Sequence, residues 1–348
     1  MASTVVSAPG RVCLFGEHMD WNWRPVVSYA TEAFRNYVKL TVKDSKIVKV
    51  RSYEPYNVQD QFQVDGEISY VAGDLNYIRA VVNVLKEMGC EMPGMELEVK
   101  TTIPVGTGLS SSAALCVSTA YAISEALGLG LNPSKAAEIA YTAERKRLGI
   151  NCGQMDPYAS ALGGLCYIDC SAEPPRKVDK LSLGEPLPLI IGDTLTPRKA
   201  GKVLAWLGLR VKDEDPAMLE GVRRISALVD RAWNLLKAGD PRLEEIGRCM
   251  NENQSLLREY LRVSTLEIEE LIYAGLKAGG LGGKLTGAGG GGCVIILARP
   301  EDLSRVAGAV EAAGGRAYTT DLAREGVKVE DPETFEAVAY PFHGGWKP

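Results

Sequence analysis

Up to about residue 70, the hydrophobic positions come in short runs rich in valine and tyrosine, broken by polar residues: "RVCLFG", "PVVSYA", "YVKLTV" and "IVKVRSY". Runs of this kind predict strands. The period then changes. Across "GDLNYIRAVVNVLKEMG" (73–89), Leu75, Ile78, Val82 and Leu85 recur at helical spacing and Gly89 supplies a stop, which predicts an amphipathic helix. "MELEVKTTIPVG" returns to strand. After a glycine-serine stretch, "AALCVSTAYAISEALGL" reads as a buried helix. "NPSKAAEIAYTAERKRLG" reads as an amphipathic one, with an asparagine cap and proline at the first helical position. Residues 164–195 carry two further strands, "GLCYIDC" and "LPLIIGD". The run "VKDEDPAM" (211–218) marks entry to a helical region reaching about residue 278. "GKLTGAGGGGCVIILARP", a helix at 301–314, "GRAYTT" and "VKVE" form a second β-rich part. The mixture is α+β and lacks the regular alternation of a βαβ winding. At 348 residues the chain exceeds the length over which one core usually keeps growing. Two lobes are expected, 1–187 and 188–348.

Composition narrows the class. Apolar residues make up 46% and charged residues 24%, the mix of a globular protein. The formal net charge is -5 with no basic block, which excludes a nucleic-acid surface as the main function, since phosphate backbones require clustered Lys and Arg. The cysteines at 13, 90, 116, 152, 166, 170, 249 and 293 form no CxxC pair. Most lie in apolar runs, which predicts reduced thiols and a cytoplasmic setting. The N-terminal residues lack the charged and apolar regions of a signal peptide. No apolar run approaches the roughly 18 residues of a membrane helix.

Three clusters carry candidate chemistry. In "PVGTGLSSSAAL" (104–115), two glycines allow a tight turn, three serines supply hydroxyls, and a helix follows at once. Free N–H groups and the positive dipole end at a helix start suit a phosphate chain; a serine-rich N-cap is the alternative reading. In "GKLTGAGGGGCVIIL" (283–297), the glycines satisfy GxGxxG literally, but a strand follows them and no acidic residue stands at the ribose position, so a dinucleotide fold is not expected. Close approach of backbone to a ligand, or a β-bulge, would account for the run. In "AERKRLGINCGQMDPYAS" (143–160), Glu144 and Asp156 stand twelve residues apart across a glycine-containing turn that can bring both to one cavity. For Glu144 an ordinary exposed helical position is the competing reading. Asp156, among apolar neighbours, needs a partner or a task. Together these suggest phosphate cradles, a hydroxyl and a carboxylate for Mg²⁺, and Asp156 as the base that takes a proton from a hydroxyl attacking a γ-phosphate.

In this order the clusters resemble the GHMP kinases (galactokinase, homoserine, mevalonate and phosphomevalonate kinases) over essentially the whole chain. "APGRVCLFGEHMDWNWRPVV", "LNYIRAVV" and "CGQMDPYAS" are similar to galactokinase. The Asn-Gln pair, the Val-Ser-Thr helix start and the long glycine run of the C-terminal half are closer to mevalonate kinase. The resemblance implies a two-lobed fold with a ribosomal-protein-S5-like N-terminal lobe, a ferredoxin-like C-terminal lobe, and the active site between them. It implies ATP bound at Gly106, Gly108, Leu109, Ser110, Ser111 and Ser112, and Mg²⁺ held by Ser112 and Glu144. Asp156 would be the catalytic base, with Arg11 orienting or stabilising the reacting groups. Glu17, His18, Asp20 and the Gly153 backbone would bind hydroxyls of a small-molecule substrate, a sugar such as galactose, with mevalonate as the alternative and a catalytically silent sugar sensor as another. His18 could instead brace its own loop, and His343, near the tail, is read as structural. A monomer or homodimer is expected.

Overall fold

A computed structural model describes residues 3–71, 73, 75–104, 106–196, 200–238 and 242–342. His343 lies outside the described residues. The first part of the chain runs β1 (Ser3–Phe15), β2 (Pro25–Lys43), β3 (Ile47–Ser52), β4 (Val58–Gln63), α1 (Asn76–Glu87), β5 (Gly94–Thr101), α2 (Ser111–Leu127), α3 (Pro133–Tyr141), α4 (Met155–Leu162), β6 (Leu165–Asp169) and β7 (Lys177–Leu181). The second runs β8 (Leu189–Asp193), α5 (Ala200–Lys212), α6 (Pro216–Leu236), α7 (Leu243–Leu256), α8 (Leu266–Lys277), β9 (Gly282–Leu285), β10 (Cys293–Leu297), α9 (Leu303–Ala312), β11 (Arg316–Thr319), β12 (Lys328–Glu330) and α10 (Pro332–Ala337).

The runs "PVVSYA" and "YVKLTV" are two halves of one strand, β2. Its first half pairs with β6 and its second with β5, while β1 runs antiparallel along both with a register shift at Pro9/Gly10. The polar break that suggested two strands falls where β2 exchanges one neighbour for the other. The whole first sheet has the order β12-β1-β2-β5-β3-β4, with β6 and β7 continuing from β2. Helix α2 packs on β1 and β2, and Asn36 in β2 donates to Ser118 Oγ of the helix at 2.9 Å. That packing sets the start of α2 beside the middle of β1.

The second sheet is antiparallel, order β11-β8-β10-β9. Its first and second strands are joined by α5 to α8 and its third and fourth by α9, which is the ferredoxin-like arrangement expected. The last described residues do not stay in that lobe. Strand β12 pairs antiparallel with β1 from Val5↔Glu330 to Ser7↔Lys328, and Leu322 bridges Thr31. Buried Arg35 clasps this returning segment, donating to Gly326 O at 2.7 Å and Ser7 Oγ at 2.9 Å. The tail covers an edge that β1 would otherwise leave open; three residues of "VKVE" are too short to announce a partner by pattern.

Helix α5 is also a departure, because "VKDEDPAM" is the break between two helices and not the first entry to one. Asp215 caps α6 by accepting from Ala217 N at 2.9 Å and Met218 N at 3.3 Å, with Pro216 at the first position. The cap signal was plain, whereas two glycines and two valines weaken the helical pattern of α5 itself. Among the described residues, no helix is long and apolar enough to cross a membrane.

Candidate active site

The loop between β5 and α2 is held in a left-handed backbone at Gly106 (φ 72°), Gly108 (φ 96°) and also at Ser110 (φ 69°). Glycine meets such angles without strain, whereas a serine there costs of order 1–3 kcal/mol. The Ser110 Oγ is buried with no partner. A cavity of about 230 Å³ opens over this loop, and Gly106, Gly108, Leu109, Ser110, Ser111 and Ser112 all line it. All six residues expected at the phosphate chain therefore share one wall. Strand β1 lies against the loop so closely that a Cβ on Gly10 would stand 2.5 Å from Leu109 O.

A second cavity, about 610 Å³, lies between the lobes. The first lobe contributes Arg11, Glu17, His18, Asp20, Trp21, Ser112, Glu144, Gly153 and Asp156, and the second Ala200, Gly201, Leu204, Ala205, Gly287 and Ala288. Ser112 and Asp156 border both cavities. Asp156 sits in the first turn of α4. Arg11 donates to its Oδ1 from Nε at 2.8 Å and reaches it from Nη2 at 2.6 Å, while Nη1 donates to Gly108 O. Burial pulls the Arg11 pKa down, and Asp156, with smaller help from Cys13 and Asp20, more than offsets this, leaving it raised.

Glu144 is buried, not exposed as an ordinary helical glutamate would be. Residues Thr142–Arg147 continue α3 as a widened π-type turn, a feature often found at functional sites. Burial pushes the Glu144 carboxyl up to about 7; the Ser112 hydroxyl, hydrogen-bonded to it, pulls the other way. A half-buried hydroxyl paired with a buried carboxyl beside this loop fits a hard cation that takes one or two protein oxygens and completes its shell with phosphate and water.

The residues expected at a sugar are brought together, with roles that differ among them. Asp20 accepts from Trp21 N at 2.9 Å and Met155 N at 3.3 Å. Burial, with a smaller push from Asp156, raises its pKa to about 6. A Cβ on Gly153 would stand 2.2 Å from Asp20 Cγ and Oδ2, so Gly153 makes room for Asp20. His18 uses both ring nitrogens inside the protein: Nδ1 accepts from Trp21 Nε1 at 3.3 Å, so Nε2 carries the proton and donates to Ala288 O at 3.1 Å. The ring braces the loop and ties it to the second lobe. Glu17 is fully buried in an ion pair with Lys284, and its Oε2 has no partner.

The glycine run is required chiefly by the protein itself. Gly287 and Gly289 to Gly292 all have positive φ. A Cβ on Gly289 would meet Val263 O at 2.4 Å. Only Gly287, with Ala288, reaches the cavity.

Three contributors escaped sequence reasoning. Trp21 walls the cavity and orients His18, and its place directly after Asp20 was the available signal. Helix α5 supplies an apolar wall through Leu204, Ala200 and Ala205, for which no signal stood out. Lys284, a lone cation opening the glycine run, pairs with Glu17.

Models of known families match three stretches: the galactokinase galactose-binding signature at residues 2–33, the GHMP kinases N terminal domain at 76–164, and the GHMP kinases C terminal at 232–316. A mevalonate kinase of Pyrococcus horikoshii is 33% identical over 338 residues, covering 94% of this chain and 98% of its own. A galactokinase of Streptomyces coelicolor is 31% identical over 372 residues, covering 96% and 92%. Among solved structures, Lactococcus lactis galactokinase complexed with galactose superposes with a TM-score of 0.81 at 24% identity, covering 94% of this chain and 95% of that one.

Proposed function

Because this chain belongs to the GHMP kinases, phosphotransferases that act on hydroxyl groups and use ATP, we propose that it transfers the γ-phosphate of ATP to a hydroxyl of a monosaccharide. Galactose is the first candidate and a sugar 1-phosphate the product, made by a cytoplasmic monomer or homodimer. The observation that carries the acceptor class is the charge around the larger cavity. Arg11 is the only Lys or Arg among its described lining residues and is committed to Asp156, while Glu17, Asp20, Glu144 and Asp156 bring carboxyl groups to the same wall. Such a wall suits hydroxyls, which donate to carboxylates, and repels an anionic acceptor.

Asp156 takes the proton of the acceptor hydroxyl as its oxygen attacks phosphorus. The transition state of phosphoryl transfer is loose, so placing the base counts for more than its strength. Arg11 does the placing: it grips Asp156 Oδ1 and Gly108 O together, between the base and the phosphate loop, where negative charge accumulates. The amides at the start of α2 and the free Ser110 Oγ face the phosphate chain. Ser112 and Glu144 would hold Mg²⁺, which when bound neutralises phosphate charge.

Mevalonate is the second reading, favoured by the 33% identity to an archaeal mevalonate kinase. A catalytically silent sugar sensor is disfavoured because Arg11, Ser112, Glu144 and Asp156 are all present and share the cavity. The test is ADP release from Mg-ATP over galactose, other hexoses, pentoses, uronic acids and mevalonate, with each product located by NMR. Turnover of a neutral sugar supports the reading. Turnover of mevalonate alone overturns it.

A further inference from the structure

Lys284 borders neither cavity, yet it contacts the acceptor site through one residue. It lies in β9 with its side chain fully buried. Its ammonium donates to Glu17 Oε1, to Leu285 O at 2.7 Å and to Cys13 O at 3.3 Å, three acceptors for three N–H bonds. Glu17 belongs to the first lobe, just after β1, and borders the acceptor cavity. One of its carboxylate oxygens is taken by Lys284. The other, Oε2, is buried with no partner, a state native proteins seldom leave unanswered unless a ligand or water supplies the donor. Around this pair the lobes are stitched together: Cys13 N donates to Thr286 Oγ1 at 2.8 Å and His18 Nε2 to Ala288 O.

We propose that Lys284 is a positioning residue for the acceptor: from the second lobe it holds Glu17 so that Oε2 alone is presented to a substrate hydroxyl. The proposal rests on the sugar-kinase reading above. A plain structural tie between lobes would need only one good contact. Here the pair leaves one defined acceptor atom, on a residue that borders the cavity.

The pair also governs the chemical state of Glu17. Burial pushes its carboxyl up from the ordinary carboxylate range, while Lys284 and, less strongly, hydrogen bonds from its own backbone N–H and the Cys13 thiol pull it down. The other titratable group facing it is the Cys13 thiol, which burial and Glu17 push far up, so it stays neutral. With Lys284 absent, the strongest pull toward the charged form is gone, so the Glu17 carboxyl shifts further up, holds a proton more readily and becomes a weaker acceptor.

The experiment measures steady-state kinetics from pH 6.5 to 9 on the sugar that the intact enzyme turns over. Lys284→Met should raise the acceptor KM about 10- to 100-fold, the value of a hydrogen bond to a charged group. The KM for MgATP at saturating sugar should stay within about threefold of wild type. The raised acceptor KM should fall toward high pH as Glu17 ionises, a slope added to whatever Asp20 and Glu144, raised to about 6 and about 7, give wild type. Because an unpaired buried carboxylate is strongly destabilising, the double variant Glu17→Gln/Lys284→Met is made alongside. It carries no buried charge at the pair and should show the raised acceptor KM with only the pH slope of wild type. An acceptor KM at the wild-type value in either folded variant overturns the proposal. If wild type turns over no sugar at all, the functional reading itself has failed, and that is known before any variant is made.

Discussion

Gly153→Ala isolates one steric fact. Gly153 has an ordinary backbone conformation, so alanine brings no strain of its own, yet its Cβ would stand 2.2 Å from Asp20 Cγ and Oδ2 and 2.7 Å from Trp21 N. Asp20 must retreat by about 1 Å to reach an ordinary contact. Its carboxylate is held by Trp21 N at 2.9 Å and Met155 N at 3.3 Å, and that retreat weakens both bonds. Overpacking of this kind costs about 1–3 kcal/mol of stability. An acceptor that loses its hydrogen bond to a charged group loses about 1.5–3 kcal/mol, or roughly 10- to 100-fold in KM. The assay is ADP release with the acceptor and MgATP varied in turn, together with Tm. The expected result is a raised acceptor KM, a nearly unchanged KM for MgATP and a lowered Tm. Gly184→Ala, where a Cβ would meet nothing within 4 Å, is the neutral control. Alanine keeps the backbone N–H and C=O, so a wild-type acceptor KM would mean that Gly153 serves the substrate through its backbone alone, and the argument from Asp20 would be wrong.

Three further outcomes follow from the same site. Asp156→Asn keeps shape and removes the base, so kcat should fall about 10²- to 10⁴-fold with little change in the acceptor KM; unchanged turnover would remove Asp156 from the chemistry. Since burial lifts Glu144 to about 7, protons compete with the cation there: the Mg²⁺ needed for half-maximal activity should rise as pH falls from about 8 to 6, and Glu144→Gln should need more Mg²⁺ while losing that slope. Asp20, raised to about 6, binds its proton more tightly folded than unfolded, so it withdraws stability as pH rises from about 4 to 6. Asp20→Asn escapes this, and its Tm relative to wild type should be higher at pH 7 than at pH 4; a pH-independent difference would contradict the raised pKa.

The elements that could be read from the sequence were those whose local signals agreed with their final environment. Helix α2 is apolar nearly all round because it is enclosed by β1 and β2 on one side and by α1, α3 and α4 on the others, and α3 opens with Asn132 accepting from Lys135 N at 2.8 Å. The glycine-serine loop before α2 reads equally as a capped helix start, and only its company with the other two clusters pointed to phosphate; the structure does place its six residues along one cavity. Long-range facts left no local trace. That β12 would leave its lobe and pair with β1 depends on an open edge more than three hundred residues away. The inward turn of Glu144 depends on a widened helical turn that no spacing rule marks. His18 shows the converse: its charged company suggested a substrate contact, but the tryptophan three residues on and a carbonyl of the second lobe take its two nitrogens.

The same distinction bears on the acceptor. Identity to the mevalonate kinase is spread over 338 residues, and most of a chain of that length builds the frame, as do here the left-handed loop at Gly106 and Gly108 and the glycine run packed on Val263. Choice of acceptor rests on far fewer atoms. On the proposed function they would be the carboxylates of Glu17 and Asp20, the indole of Trp21 and the aliphatic wall of α5 around Leu204, all of which line the larger cavity. A site that hydrogen-bonds its substrate rejects the wrong one by leaving buried groups unpaired, and it does so more sharply than any apolar fit can. Here an anionic acceptor would bring its charge up to carboxylates, with Arg11, the one arginine among the described lining residues, already committed to Asp156. Overall identity measures the shared frame, and the charge of the cavity wall is the better guide to what enters it.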